Sequence, residues 1–258
     1  MNQSTTDRKF ANTLARGLKV LGVFRASDDG LTHAQIADRT ALPKPTISRL
    51  TYTLCELGFL TQASRNDRFH LGPAAIALGS VATISATFID LISDAMQELA
   101  NETGTLGLIA VRDTMRMMLV KTWRPEGTAS IWLEPGHRIP LFGSSSGQAT
   151  LAAMSDDKFA GLAPNPALVD FRQDGYAQLI AQGFTIAPRP TRYARTVNAV
   201  GVPFFASEFG APVAISCGAL PEVLTDARMV EEVGPALREV VRELERRTGQ
   251  APALTRRG

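Results

Sequence analysis

The chain is poor in the residues that most metal and redox chemistry requires. It has two cysteines, Cys55 and Cys217, far apart and without paired-ligand spacing, and three histidines, His33, His70 and His137. This excludes a disulfide framework and a cysteine-rich zinc site, and His137 has no second His or Cys at ligand distance along the chain. No metal and no cofactor are expected. Long apolar runs are also missing. No apolar run of the ~18 residues that mark a membrane span is present, and the opening MNQSTTDRKF lacks the apolar centre of a signal peptide. The expectation is a cytoplasmic protein with no membrane partner. Nor does one sign of charge dominate, since the formal net charge is +2.

What is present is an ordinary globular composition, 45% hydrophobic and 20% charged, with its basic residues unevenly placed. Residues 1–72 carry ten Lys/Arg against six Asp/Glu, whereas the remainder carries seventeen against nineteen. The excess lies over the stretch THAQIADRTALPKPTISRLTYTLCELG, residues 32–58. Thr32 is placed as an N-cap, Ala34, Ile36 and Ala37 form a short apolar face, and Leu42-Pro43 marks a turn because a residue before proline avoids helix. Beyond it Ile47, Leu50, Leu54 and Leu57 recur at steps of three and four, which predicts one buried helical stripe. The opposite face offers Lys44, Thr46, Ser48, Arg49, Tyr52 and Thr53, groups suited to base edges and phosphates. This is a helix-turn-helix with its second helix as the DNA reader.

A first helix is expected over 12–26, with Leu14, Leu18, Leu21 and Val23/Phe24 on its apolar side. After the reader, Phe59-Leu60 and residues 69–71 flank a polar tip with Arg65, Asn66 and Arg68, which predicts a β-hairpin wing; a solvated hairpin tip is the plainer alternative. Residues 73–88 are Ala-rich and predict a linker helix packed against a partner, and 90–103 continues helically to a Gly104 cap. Strands are expected at 105–111, 117–122, 130–133, 183–186, 197–205 and 211–219, and helices near 147–154 and 176–182. A long amphipathic helix over 224–248 is expected to kink at Gly234-Pro235. The fold class is α+β: a winged helix-turn-helix over 1–72, a linker helix over 73–88, a mostly antiparallel second domain over 89–250 and a frayed tail over 251–258.

With these elements in place, the chain resembles the IclR-type family of bacterial transcriptional regulators. The resemblance rests on ANTLARGLKVLGVF, LTHAQIADRTALPKPTISRLTYTLCELGFL, RFHLGPAAIALG, ELANETGTLGLIAV, GHRIPLFGSSSGQATLAAM and VGVPFFASEFGAPVAISCGAL, which follow the family's order over nearly the whole length. It implies a winged helix-turn-helix, a linker helix and an effector-binding domain with a curved antiparallel sheet flanked by helices. It also implies homodimers, often paired into tetramers, on partly palindromic operators of catabolic or efflux genes. Two places depart from the family pattern. Gln148 stands near a position usually held by Lys, and the segment after Gly183-Phe184, usually acidic, carries Arg189, Arg192 and Arg195.

The run Gly143-Ser144-Ser145-Ser146-Gly147 matches the nucleophile elbow of hydrolases. An elbow serine needs an acid and then a histidine further along, and all three histidines precede Ser145, so an enzyme is not expected. Small residues entering a helix can hold a carboxylate on backbone N–H groups and hydroxyls; a tight turn that needs small residues for packing explains them equally. Arg189, Arg192 and Arg195 are a cationic rim for an anionic effector or a solvated loop. Ser216 and Gly218 lie where the resemblance places cavity-lining residues, with Cys217 on the other face. Trp123, Trp132 and Phe142 are aromatic walls or ordinary core.

The reading for DNA is that Gln35, Lys44, Pro45, Thr46, Ser48, Arg49, Tyr52, Arg65 and Arg68 meet double-stranded operator DNA. For the effector it is that Trp132, Phe142, Ser144, Ser145, Ser146, Arg189, Arg192, Arg195, Ser216 and Gly218 meet a small organic acid or aromatic metabolite. The alternative is a DNA-binding regulator whose second domain only oligomerises.

Overall fold

The computed structural model describes residues 10–25, 27–64, 67–194 and 196–256. Helix α1 (Asn12–Leu21) ends earlier than the expected 26: Gly22 closes it with its N–H on Leu18 O, and beyond it Arg25 N–H donates to Asp28 Oδ2 at 2.8 Å. Leu14 and Leu18, expected on its buried side, are exposed, and Val20 is the residue that α1 buries. Helix α2 (His33–Thr40) starts with a capping box: Thr32 Oγ1 accepts from Gln35 N–H at 3.3 Å and Gln35 Oε1 accepts from Thr32 N–H at 2.9 Å. It stops at Ala41, whose φ of 53° is left-handed, and Pro43 then opens helix α3 (Lys44–Glu56).

Ile47, Thr51 and Leu54 form the buried face of α3. Leu57, expected there, sits at the C-cap and is 61% exposed. Thr51 is buried instead, donating to Ile47 O at 3.0 Å and bonded to His33 Nε2 at 3.0 Å, which ties α2 to α3. Short strands β1 (Leu60–Thr61) and β2 (His70–Leu71) pair antiparallel, with Leu31 bridging Phe69 beside them, as a wing requires. Val20, Leu31, Ile36, Ile47, Leu60 and Phe69 close this core, each worth about 1.5–3 kcal/mol when fully buried. Gly72 is forced by packing, since a Cβ there would lie 2.2 Å from Gly58 O. Helix α4 (Pro73–Ser85) then buries none of its residues. The expected linker of 73–88 therefore ends at Ser85, and the chain divides into two compact units, Met1–Ser85 and Ala86–Gly258.

In the second unit, helix α5 (Thr87–Thr103) runs to a left-handed Gly104, as expected. Strands β3 (Leu106–Asp113), β4 (Arg116–Trp123), β5 (Arg138–Pro140), β6 (Asn198–Ala206) and β7 (Ala211–Ala219) form one antiparallel sheet in the order β5-β4-β3-β7-β6, with a bulge between Ile109 and Ala110. Strand alternation divides the core. Ile109, Val213, Ile215 and Cys217 pack with Phe88 and Met96 of α5, and Leu106, Leu108, Ala110 and Ala214 pack on the opposite side. That second side is covered by α6 (Ser145–Ala153), a short α7 (Asp156–Ala160) that the sequence reading lacks, and α8 (Pro166–Ala181).

Several expected elements differ. Residues 130–133 are not a strand; β4 pairs instead with β5, and Ile131 and Leu133 reach inward from an irregular segment. Residues 183–186 contribute only the bridge Thr185–Gly201, because Pro188 and Pro190 follow closely and cannot extend a ladder. Helix α8 starts at Asn165-Pro166, well before 176, since Asn165 caps Leu168 N–H at 2.9 Å and Pro166 suits the first turn. The expected 224–248 helix is α9 (Asp226–Arg228), a π turn over Met229–Val233 and α10 (Gly234–Thr248). Pro235 supplies no N–H, which is where the α pattern is broken. The 251–258 tail is not frayed over its described part, for Ala253 is buried in a 3-10 turn.

Candidate functional site

Two surfaces emerge, one in each unit. On α3 the residues Lys44, Ser48 and Tyr52, spaced by four, share a face with Pro45 and Arg49. All five are exposed, Tyr52 at 67%, while Thr46 is half-buried. Among the described residues neither Lys44 nor Arg49 is held in an ion pair, which leaves two cations for phosphate or base edges. Gln35 and Arg68 have a second duty. Arg68 Nη1 donates to Gly30 O at 3.1 Å and to Gln35 Oε1 at 3.2 Å, so the base of the wing is braced against the start of α2. Arg65 lies outside the described residues. Arg39 is not part of the open face: Asp28 accepts from both of its terminal nitrogens and from Arg25 N–H, and the Arg39 guanidinium holds the Asp28 carboxyl below its usual range.

In the second unit the serine run enters α6. Ser144 is the N-cap, accepting from Gly147 N–H at 3.0 Å and donating to Pro140 O at 2.7 Å. Ser145 Oγ donates to Ala199 O at 2.7 Å and accepts from Ala187 N–H at 3.0 Å. Ser216 Oγ donates to Ser146 Oγ at 3.2 Å. All three hydroxyls therefore tie α6 to β5, β6 and β7. The flanking glycines are packing residues: a Cβ on Gly147 would lie 1.9 Å from Leu141 O, and on Gly143, whose φ is +82°, 2.2 Å from Thr191 O. The donors left here are the first-turn N–H groups of Ser145 and Ser146, which a helix leaves without intrahelical partners.

These groups border a cavity of about 40 Å³. Leu108, Ile131, Leu133 and Ile139 supply its apolar wall, and Ser144, Ser145, Ser146, Arg192, Ser216 and Gly218 its polar side. Tyr193, Ala194, Val197 and Ala199 also line it; the first three precede β6 outside any helix or strand and give no periodic signal in the sequence, and Ala199 lies at the start of β6. Two of the aromatic candidates do not line this cavity. Trp132 is 67% exposed beneath Arg124, 3.8 Å from its ring centre, because Ile131 and Leu133 take the inward positions. Phe142 stacks on Phe171 at 4.9 Å in the α6–α8 core. Trp123 is core as well. Cys217 faces the other side of β7, with its thiol pushed up to about 12 by burial, and stays protonated at neutral pH.

The arginines separate. Arg192 lies at the cavity, with Nε donating to Ala187 O at 2.8 Å and Nη1 to Asn198 Oδ1 at 2.5 Å. Arg189 does not line the cavity; it is exposed and paired with Asp226, with Nε 2.9 Å from Oδ2. Arg195 lies outside the described residues.

A wing-bearing reader in one unit and a cavity-bearing antiparallel sheet in the other agree with two family descriptions. The IclR helix-turn-helix domain matches residues 13–64, and the bacterial transcriptional regulator IclR C-terminal domain matches residues 82–179. The chain belongs to the IclR-type family of bacterial transcriptional regulators. Its members are regulators rather than enzymes, which agrees with a serine run whose hydroxyls are committed to the fold. The chain is 32% identical over 160 residues to the Pca regulon regulatory protein of Pseudomonas putida, 59% of this chain and 52% of that protein. It thus spans about half the length of the first curated relatives it matches. An IclR family regulator from Brucella abortus superposes with a TM-score of 0.74 at 29% identity, covering 95% of this chain and 96% of that one. An IclR homolog from Microbacterium hydrocarbonoxydans, solved with 4-hydroxybenzoate, shares the fold at a TM-score of 0.71 and 20% identity, covering 94% and 99%.

Proposed function

We propose that this IclR-type regulator binds operator DNA through α3 and responds to a small organic or aromatic acid held in the second unit. The observation that carries the effector part is the convergence of the α6 N-terminus, Ser216, Gly218 and the Arg192 guanidinium on one apolar-walled cavity. That the Microbacterium homolog is complexed with 4-hydroxybenzoate, and that the Pseudomonas relative governs the Pca regulon, supports this ligand class. On the DNA side, Lys44, Pro45, Thr46, Ser48, Arg49 and Tyr52 read or position, Gln35 and Arg68 brace the wing beside them, and a dimer sets two readers about one helical turn apart. Ile76, Leu78, Val81 and Ile84, exposed on an α4 that buries nothing, support a second copy as the cover for that helix. The target is a catabolic or efflux operon, which places the protein in the cytoplasm.

The second reading, an oligomerising domain with no effector, draws on one observation: the cavity is about 40 Å³ and the hydroxyls of its serines already have partners within the fold. Thermal-shift titration with 4-hydroxybenzoate, benzoate and succinate, followed by gel shifts on the intergenic DNA beside the gene, separates the two. A compound that raises the melting temperature and changes operator affinity is expected. Acids that leave both unmoved favour the second reading.

A further inference from the structure

Arg192 faces two spaces. One is the cavity of about 40 Å³ beside the serines; the other is an outer cleft of about 350 Å³ lined by Arg189, Pro190, Arg192, Asn198 and Pro221. A water molecule's share of the liquid is about 30 Å³, so the inner space has room for little more than one water, whereas ligand pockets begin near ~300 Å³. Of these two spaces, the outer cleft is the one with the size for a small organic acid.

The charge balance of that cleft is unusual. The Arg192 side chain keeps only 12% of its exposure, yet its short partners, Ala187 O and Asn198 Oδ1, are both neutral. Its nearest carboxylate, Asp226 Oδ1, stands at 3.8 Å, beyond hydrogen-bond reach, while the other oxygen is taken by Arg189. Among the described residues no acceptor is bonded to Arg192 Nη2. Burial lowers the guanidinium's proton affinity, and the distant Asp226 only offsets that. A largely buried cation with an open donor edge is stabilised by an anion that can reach both nitrogens, the geometry a carboxylate offers to a guanidinium fork.

We propose that this cleft is a carboxylate site which the chain's own Asp226 half-fills, and that an organic-acid ligand exchanges its carboxylate for that of Asp226 on Arg192 and Arg189. The proposal rests on the effector reading above, that an acid is held in the second unit, and moves the acid from the inner cavity to the outer cleft through the Arg192 that lines both. Asp226 begins α9 directly after its Thr225 cap, on the segment that continues through the π turn into α10. An incoming acid therefore releases the start of that helical segment from the arginine loop.

The test is calorimetric titration of the full chain with benzoate, 4-hydroxybenzoate and succinate, each beside its neutral amide, on the parent, Asp226→Asn and Arg192→Gln. Removing the internal competitor is expected to tighten acid binding by about tenfold in Asp226→Asn, since the competent state is then populated more fully. Arg192→Gln is expected to weaken it at least tenfold, and the amides are expected to bind neither form well. Asp226 is half-exposed and its substitution leaves Thr225 capping intact, so that arm decides alone if Arg192→Gln fails to fold. Acids that bind Asp226→Asn no tighter than the parent, or that bind neither, overturn the proposal. A compound that changes operator affinity while ignoring both substitutions removes this site and keeps the effector reading. Acids that follow the expected pattern without moving operator affinity keep the site and remove the effector role.

Discussion

Replacing Gly147 by alanine tests whether the serine run is shaped by packing. The new Cβ would lie 1.9 Å from Leu141 O, 2.7 Å from Leu141 C and 2.8 Å from Ser144 Oγ, whereas ordinary contact begins at 3.4 Å. The carbonyl cannot retreat freely, because Leu141 is fully buried and its N–H is bonded to Met115 O at 3.1 Å. A backbone overlap of this depth belongs at the upper end of overpacking costs, about 3 kcal/mol, with about 1 kcal/mol more for the loosened Ser144 cap. Against this stands the roughly 1 kcal/mol that alanine gains over glycine inside a helix. The net loss of about 3 kcal/mol lowers the melting temperature of a unit of this size by roughly 6–12 °C. Differential scanning calorimetry measures it, with Gly17→Ala as the control, since a Cβ there meets nothing nearer than Leu50 Cδ2 at 3.9 Å. A Gly147→Ala protein that melts with the parent refutes the overlap and the packing account of the motif.

Arg49→Ala is expected to leave the melt unchanged, weaken operator binding by tenfold or more, and, where Arg49 meets a phosphate, cut the salt slope by about 1; anisotropy titrations across salt concentrations with unaltered affinity would remove it from the reader face. Thr32→Ala breaks the capping box and should cost about 1 kcal/mol, seen as a lower melting temperature of the first unit; no change would mean the cap contributes nothing. Asp28, held below its usual range by Arg39, contributes stability above its unfolded value near ~3.9, and that contribution is lost as pH falls through the lower folded value. Acid titrations of the parent and Asp28→Asn should therefore diverge at neutral pH and converge in strong acid; parallel curves would refute the coupling.

The DNA-reading unit was legible because its signals are local chemistry. Thr32 and Gln35 meet within one helical turn, and Leu42-Pro43 bars helix whatever surrounds it. Periodicity alone could not tell that α3 ends at Glu56, so it placed Leu57 inside, where Thr51 belongs. In the second unit the alternation at 130–133 was real but its cause was not a ladder. Ile131 and Leu133 point into a cavity from a segment without a strand partner, a difference that depends on β5 taking the edge of β4.

The site was legible by position and opaque by direction. Three arginines at steps of three suggest a common face only where the backbone is helical. Here Pro188 and Pro190 flank a short 3-10 turn over Arg189–Thr191, and Arg192 leaves it at φ −55° and ψ 125°, so Arg189 turns out to Asp226 and Arg192 turns in. The serines were found, but the fold already uses their hydroxyls. What remains to meet a ligand at the cavity and its outer cleft is a partly uncompensated guanidinium and the N–H end of a helix, both positive. A cation entering the inner cavity would face like charge among buried groups, and that repulsion grows as the dielectric falls. On the proposed effector reading, the chemistry left over by folding selects an anion, and it does so through Arg192, in the segment that carries Arg189, Arg192 and Arg195.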